Sequence, residues 1–219
     1  EGSSAPQPCN GGYHANQTVL AVVGFLGTLD DCNICPPGTF CPVGTNAPTP
    51  CAPGTFNAQF NASTCDSCVG GEYQDMSGST ACKACTGGNF CPPGASAELP
   101  CLAGSYSSAS NLAAASACTT CPAGSMCSTG STEHKPCAPG TFTNTTGMPT
   151  CTPCIGGEYQ GASGATSCKA CTQGNFCPPG ASAQLPCLEG TYSSSTNLDE
   201  ASDCTACPAG SAQGRGGRG

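Results

Sequence analysis

The sequence predicts an elongated array of small disulfide-rich repeats, irregular with short β-hairpins and with little or no helix. Three observations carry this: cysteine density, a shortage of core-forming residues and a strict internal repeat. Of 219 residues, 23 are Cys, a density at which a disulfide scaffold is the default reading. Gly and Pro number 31 and 20, which favours turns over regular elements. There is no Trp, charged residues make up 8%, and the large aliphatic residues are scattered. Such a chain cannot bury one large core. Cross-links must replace burial by restricting the unfolded ensemble, at about 2–4 kcal/mol each.

The repeat has two levels. Positions 65–126 and 151–212 agree at 44 of 62 places, an offset of 86 residues. Within it, the pattern Cys-x-x-Gly-x-aromatic opens at Cys35, Cys51, Cys68, Cys85, Cys101, Cys137, Cys154, Cys171 and Cys187. Cys121 and Cys207 open the same pattern with Met126 and Ala212 in the aromatic slot. The intervals 16, 17, 17, 16 and 20 recur and sum to 86, so five short units make one super-repeat. Fixed periods of this kind mark stacked-repeat architectures, in which each unit contacts mainly its neighbours. The expected organisation is an N-terminal cap over 1–34, super-repeats over 35–120 and 121–206, and a truncated unit with a disordered tail over 207–219.

Sequence alone does not fix disulfide connectivity, but equivalent units should fold alike. Closing each unit on itself pairs Cys35–Cys41, Cys51–Cys65, Cys68–Cys82, Cys85–Cys91, Cys101–Cys118, Cys121–Cys127, Cys137–Cys151, Cys154–Cys168, Cys171–Cys177 and Cys187–Cys204, and leaves Cys9–Cys32. The rival scheme interlocks neighbouring units. In the sequential scheme Cys207 is unpaired or bonded to another molecule, because the equivalent of Cys127 falls on Gln213. The run from Thr18 to Leu29 is the one long apolar segment. At 12 residues it falls short of the roughly 20 a membrane-spanning helix needs, and its β-branched content suggests a buried strand or hairpin of the cap. No signal-peptide pattern is visible, so the sequence reads as a mature chain or an excised fragment.

The segments CAPGTFNAQFNASTCDSC (51–68) and CLAGSYSSASNLAAASACTTC (101–121) resemble the ephrin-receptor-like cysteine-rich repeat. That module is distantly akin to tumour-necrosis-factor-receptor and EGF-like modules. The resemblance covers roughly residues 32–210. It implies an extracellular array of small irregular β modules, of the kind found in surface and mastigoneme-type filament proteins of protists and algae, and it transfers no catalytic residue. The short Cys-x5-Cys units and the apolar stretch near 18–29 depart from the simplest form of the repeat.

Candidate sites are few. Seven Cys-x-x-Cys pairs occur, but 13 residues separate Cys65/Cys68 from Cys82/Cys85, short of the 15–20 usual for zinc, and no helix-period pattern supports a redox role. We expect no metal and no cofactor. Asp199, Glu200 and Asp203 form the densest acidic cluster, yet their equivalents one super-repeat earlier are Ala113, Ala114 and Ala117, so they read as solvated surface rather than a calcium site. His14 and His134 lack an evident nucleophile partner; His134 reads as an exposed linker, and no catalytic residue is expected. Three sequons, at Asn16, Asn61 and Asn144, are expected to carry N-glycans, and Thr45 to Pro50 could carry O-glycans. A net charge of −8 argues against nucleic acid, which needs clustered Lys and Arg; Arg215 and Arg218 sit in a Gly-rich tail.

Cysteine at this density persists in an oxidising compartment, which places the protein outside the cell or on its surface. The sequence therefore points to a non-enzymatic extracellular structural protein that self-associates in a filament, surface coat or wall, with no membrane span. The alternative is a receptor or adhesin ectodomain binding a protein or carbohydrate, a role that normally needs an aromatic or Arg-rich hot spot. Here the Phe and Tyr residues are mostly taken up by the repeat motif.

Overall fold

A computed structural model describes residues 8–24, 26 and 28–210. The expected tail after 210, including Gln213, Arg215 and Arg218, lies outside the described residues. The chain divides into two compact units, Glu1–Pro100 with Ala109–Cys118, and Cys101–Ser108 with Thr119–Gly219. Both are built from two-stranded antiparallel hairpins, eleven among the described residues, joined by turns. Ten of these hairpins pair strands of two residues, from Thr39–Phe40 with Thr49–Pro50 to Thr191–Tyr192 with Thr205–Ala206. In each, the second strand runs directly into the cysteine that opens the next unit.

Ten units are each closed by a bridge of their own. The structure joins Cys9 to Cys32 and Cys35 to Cys41. Cys51 is bonded to Cys65, Cys68 to Cys82, and Cys85 to Cys91. In the second unit Cys121–Cys127, Cys137–Cys151, Cys154–Cys168, Cys171–Cys177 and Cys187–Cys204 are bonded. Cys101 and Cys118 are disulfide-bonded as well. The opening cysteines are the core: Cys35, Cys51, Cys85, Cys101, Cys121 and Cys171 have no exposed surface. The aromatic of each motif is half-buried beside them.

Adjacent units are tied by a backbone ladder. Motif glycine amides donate to a carbonyl of the next unit: Gly38 to Asn57 (2.7 Å), Gly54 to Gln74 (2.7 Å), Gly140 to Gln160 (2.6 Å) and Gly157 to Cys177 (2.8 Å). A second turn then answers in the opposite direction. Gly78 donates to the Cys51 carbonyl, Gly94 to Cys68 and Gly164 to Cys137. The residue in this second turn has positive φ throughout and is Gly or Asn, with Asn61, Asn111 and Asn197 at φ 63°, 61° and 61°. Asn is the non-glycine residue that tolerates the left-handed region best.

The residue six places after each opening cysteine is buried in every unit described. In short units it is the closing cysteine, as at Cys41, Cys91, Cys127 and Cys177; in long units it is Asn57, Gln74, Ser107, Thr143, Gln160 or Ser193. The longer units fill the place of the sulfur with a polar side chain, which at Asn57, Gln74, Gln160 and Ser193 bonds within its own loop. Gln74 Nε2 donates to the Ala81 carbonyl (2.6 Å) while its Oε1 accepts from the Met76 amide (3.1 Å). Gln160 repeats this with Ser167 (2.7 Å) and Ala162 (3.0 Å). A buried polar group is tolerated because both ends are satisfied.

The apolar segment near the N-terminus requires a correction. It is not a strand or hairpin: α1 spans Gln17–Val23 between β1 (Tyr13–Ala15) and β2 (Cys32–Ile34). Local caps override its β-branched content. Asn16 Oδ1 accepts from the Thr18 amide, and Gly24 at φ 79° closes the helix with its amide on the Leu20 carbonyl, the two terminal signals that stabilise short helices. Val19 and Leu20 pack toward Cys9, Ala15 and Leu26. Residues 9–34 are also more than a cap. Cys9-x-x-Gly12 opens a further unit, with Gly12 donating to Cys41 (2.8 Å), Cys35 donating to Gly12 (2.9 Å) and Ala15 buried at the sixth place.

Two predictions follow from the ladder and the filled sixth place. A Cβ on Gly140 would run into the Gly180 carbonyl, whereas one on Gly94, also at positive φ, meets nothing within 4 Å among the described residues. Gly94→Ala therefore bears only the left-handed backbone cost of about 1–2 kcal/mol, and Gly140→Ala loses measurably more in chemical denaturation. Gln160→Ala strands the Ser167 carbonyl and Ala162 amide and is expected to cost about 1–3 kcal/mol in the same assay.

Candidate functional site

The Cys-x-x-Cys pairs hold no common partner. In Cys65/Cys68 the first cysteine closes one unit on Cys51 and the second opens the next toward Cys82. Their sulfurs are spent in bridges, so the motif is a junction between units. Cys207 carries a free thiol and is half-buried, its amide donating to the Gly190 carbonyl (2.9 Å). Among the described residues no three of His, Cys, Asp and Glu gather as a metal site.

The acidic cluster serves the backbone. Asp203 Oδ2 accepts from the amides of Asp199 (3.3 Å) and Glu200 (3.1 Å), capping the 3-10 turn Ala201–Asp203. His14 occupies the aromatic slot of the first unit and lies beside the Ala15 carbonyl (3.1 Å). His134 is exposed but is not a bare linker. Its Nδ1 lies 3.1 Å from Ser125 Oγ, and its ring meets Tyr106 edge-on at 5.5 Å. Ser125 is 5% exposed, so the histidine covers a buried hydroxyl.

What the hairpins do present is a repeated surface. Their two-residue second strands are exposed along their whole length. All three lysines, Lys83, Lys135 and Lys169, stand there, each opposite the residue in the aromatic slot: Tyr73, Met126 and Tyr159. Lys83 lies 5.8 Å over the Tyr73 ring and 2.5 Å from Asp75. The hydrogen bond from Lys83 holds the Asp75 carboxyl below its ordinary range, and the same bond raises Lys83. A depressed carboxylate contributes stability above its unfolded value and loses it as pH falls through the folded one. Both side chains are near half exposed, so solvent screening keeps the contribution small. One super-repeat later Asp75 is replaced by Gly161 and Lys169 lacks this partner.

Large aliphatic side chains are also exposed, and they recur with the super-repeat period. Val69 and Ile155 are 64% and 67% exposed, and Leu102 and Leu188 are 70% and 65%. Leu99 and Leu185, opposite Phe90 and Phe176, complete the recurring set. Each pair is 86 positions apart. In composition these residues are merely scattered; alignment of the two super-repeats shows that they recur outside the motif.

The three sequon asparagines occupy different settings. Asn16 is half-buried as the cap of α1, Asn61 is exposed in the left-handed turn, and Asn144 is exposed just after the buried Thr143. Among the described residues no helix is long and apolar enough to cross a membrane. The disulfide content is typical of extracellular proteins. No family model matches the chain, and no curated protein matches it.

A thiol titration checks this assignment of the sulfurs. Under denaturing, non-reducing conditions one thiol per chain reacts, and after trypsin digestion the label maps to Cys207.

Proposed function

We propose that this chain is a non-enzymatic structural protein of the extracellular space, a self-associating subunit of a filament, surface coat or wall. The observation that carries this reading is the recurrence of exposed Val69/Ile155, Leu99/Leu185 and Leu102/Leu188 at the super-repeat period. An exposed aliphatic side chain gains roughly 25 cal/mol per Å² when another molecule covers it. Where recurring side chains of this kind engage partners together, each weak contact is reinforced by the next.

The edges of the hairpins support a particular mode of assembly. Pro50, Pro100, Pro136, Pro153 and Pro186 lie in second strands, as do the three lysines and Asp66. Proline and lysine on edge strands discourage strand-to-strand addition. Association is then through side chains rather than a shared sheet. The resemblance to ephrin-receptor-like repeats, and through it to mastigoneme-type filament proteins, accords with this reading, and the elongated array expected from the repeat belongs to it.

The second reading, a receptor or adhesin ectodomain, draws support from the aromatic slots, which keep one flank at the surface and in one case a lysine above the ring. Electron microscopy and sedimentation of the secreted protein separate the two. Ordered assemblies that disperse in the double variant Ile155→Asp, Leu188→Asp, with unchanged circular dichroism and thiol count, support the structural role. Monomers at every concentration, with saturable binding to a defined protein or glycan, would overturn it.

A further inference from the structure

The structure distinguishes the three sequons, and we infer that Asn61 and Asn144 carry N-linked glycans whereas Asn16 stays bare. This rests on the extracellular reading, because the modification needs passage through a secretory compartment. In the transfer step Asn Nδ2 attacks the anomeric carbon of a lipid-linked oligosaccharyl pyrophosphate. The C–N bond forms as the C–O bond to pyrophosphate breaks. The leaving pyrophosphate takes the electron pair, and Nδ2 gives up one proton. The product is a secondary amide that keeps its carbonyl oxygen as an acceptor. A modified site therefore needs Nδ2 directed outward and room around it, while Oδ1 can remain in use.

Asn144 meets this without constraint. The preceding residue, Thr143, is 2% exposed, with its hydroxyl accepting from the Gly124 amide at 2.8 Å. That fixes where the loop emerges. Asn144, Thr145 and Thr146, the whole sequon, are then exposed. The Asn144 side chain makes no hydrogen bond among the described residues.

Asn61 is held more firmly and is equally open. Its φ of 63° and its amide bond to the Cys35 carbonyl (2.9 Å) fix the backbone. Its Oδ1 lies against the Cα of Gly12, where a Cβ would collide with it. In a planar carboxamide the nitrogen then lies on the other side of Cγ, away from that contact. The residue is exposed, so a sugar on Nδ2 leaves the packing on Gly12 intact. The two sites fall in hairpin loops whose opening cysteines, Cys51 and Cys137, are 86 positions apart. Each super-repeat thus carries one glycan, three places apart in register because position 147, the equivalent of Asn61, is Gly147.

Asn16 is different. It is half-buried at the start of α1, with its side chain fixed through Oδ1 on the Thr18 amide (3.0 Å), so Nδ2 lacks the room that the two exposed sites have. Gln17, the middle residue of that sequon, bonds through Nε2 to the Asn46 carbonyl and closes the loop over this side.

The test is the full chain secreted from a eukaryotic host and treated with a glycan-releasing amidase in heavy-oxygen water, which converts each glycosylated Asn to labelled Asp. Peptide mass spectrometry is expected to find label at Asn61 and Asn144 and unlabelled Asn at Asn16. Ser63→Ala and Thr146→Ala should each abolish label at one site only, without altering the thiol count. Secreted, fully bridged protein with unlabelled Asn61 and Asn144, or with Asn16 labelled as fully as Asn144, overturns the inference and leaves the structural reading standing. Protein that reaches the medium only as a reduced, misbridged chain would count against both.

Discussion

With Cys35, Cys51, Cys85 and their equivalents fully buried and scarcely an aliphatic side chain among them, the interior of this protein is made of sulfur bridges. A bridge acts mainly by restricting the unfolded chain, so the folded units need little volume inside. Two consequences follow for the rest of the structure. The backbone groups around each bridge come close enough to bond from unit to unit, as in Gly54 to Gln74 and Gly94 to Cys68. The large side chains, no longer required within, stand outside, as Leu102 and Leu188 do.

The hairpins, the spacing of the units and the poverty of helix were legible in the sequence because cysteine and glycine recur at fixed intervals, and such intervals leave few ways to fold. The helix over Gln17–Val23 was not. Its β-branched residues argue for a strand, and the deciding signals, Asn16 as cap and Gly24 as stop, lie outside the apolar run. The unit opened by Cys9 escaped notice because its loop of 16 residues separates β1 from β2 and because His14 stands where an aromatic is expected. Its Cys-x-x-Gly spacing was the available sign.

The buried sixth place was hidden for a different reason. Asn57, Gln74 and Thr143 look like ordinary loop residues until the units are aligned on their opening cysteine. They then fall in the column occupied by Cys41 and Cys91. A polar side chain with both ends bonded can replace half of a disulfide in this setting, because the requirement is a filled and satisfied space rather than a particular chemistry. The surface was legible only in its parts. That Leu99 and Leu185 lie on an exposed strand could not be read from composition, since leucine in a chain so short of it is expected inside.

The distance along the chain between bonded cysteines varies widely, at 6, 14, 17 and 23 residues, while the inter-unit ladder stays the same. The entropy of closing a loop grows slowly with its length, by about 0.6 kcal/mol per doubling. What lies between the sixth residue and the closing cysteine can therefore differ in length and content with little effect on neighbouring units, and in the first unit it includes the helix Gln17–Val23. The architecture separates a fixed frame from interchangeable loops, so new surface chemistry can be introduced by editing one loop without rebuilding the protein.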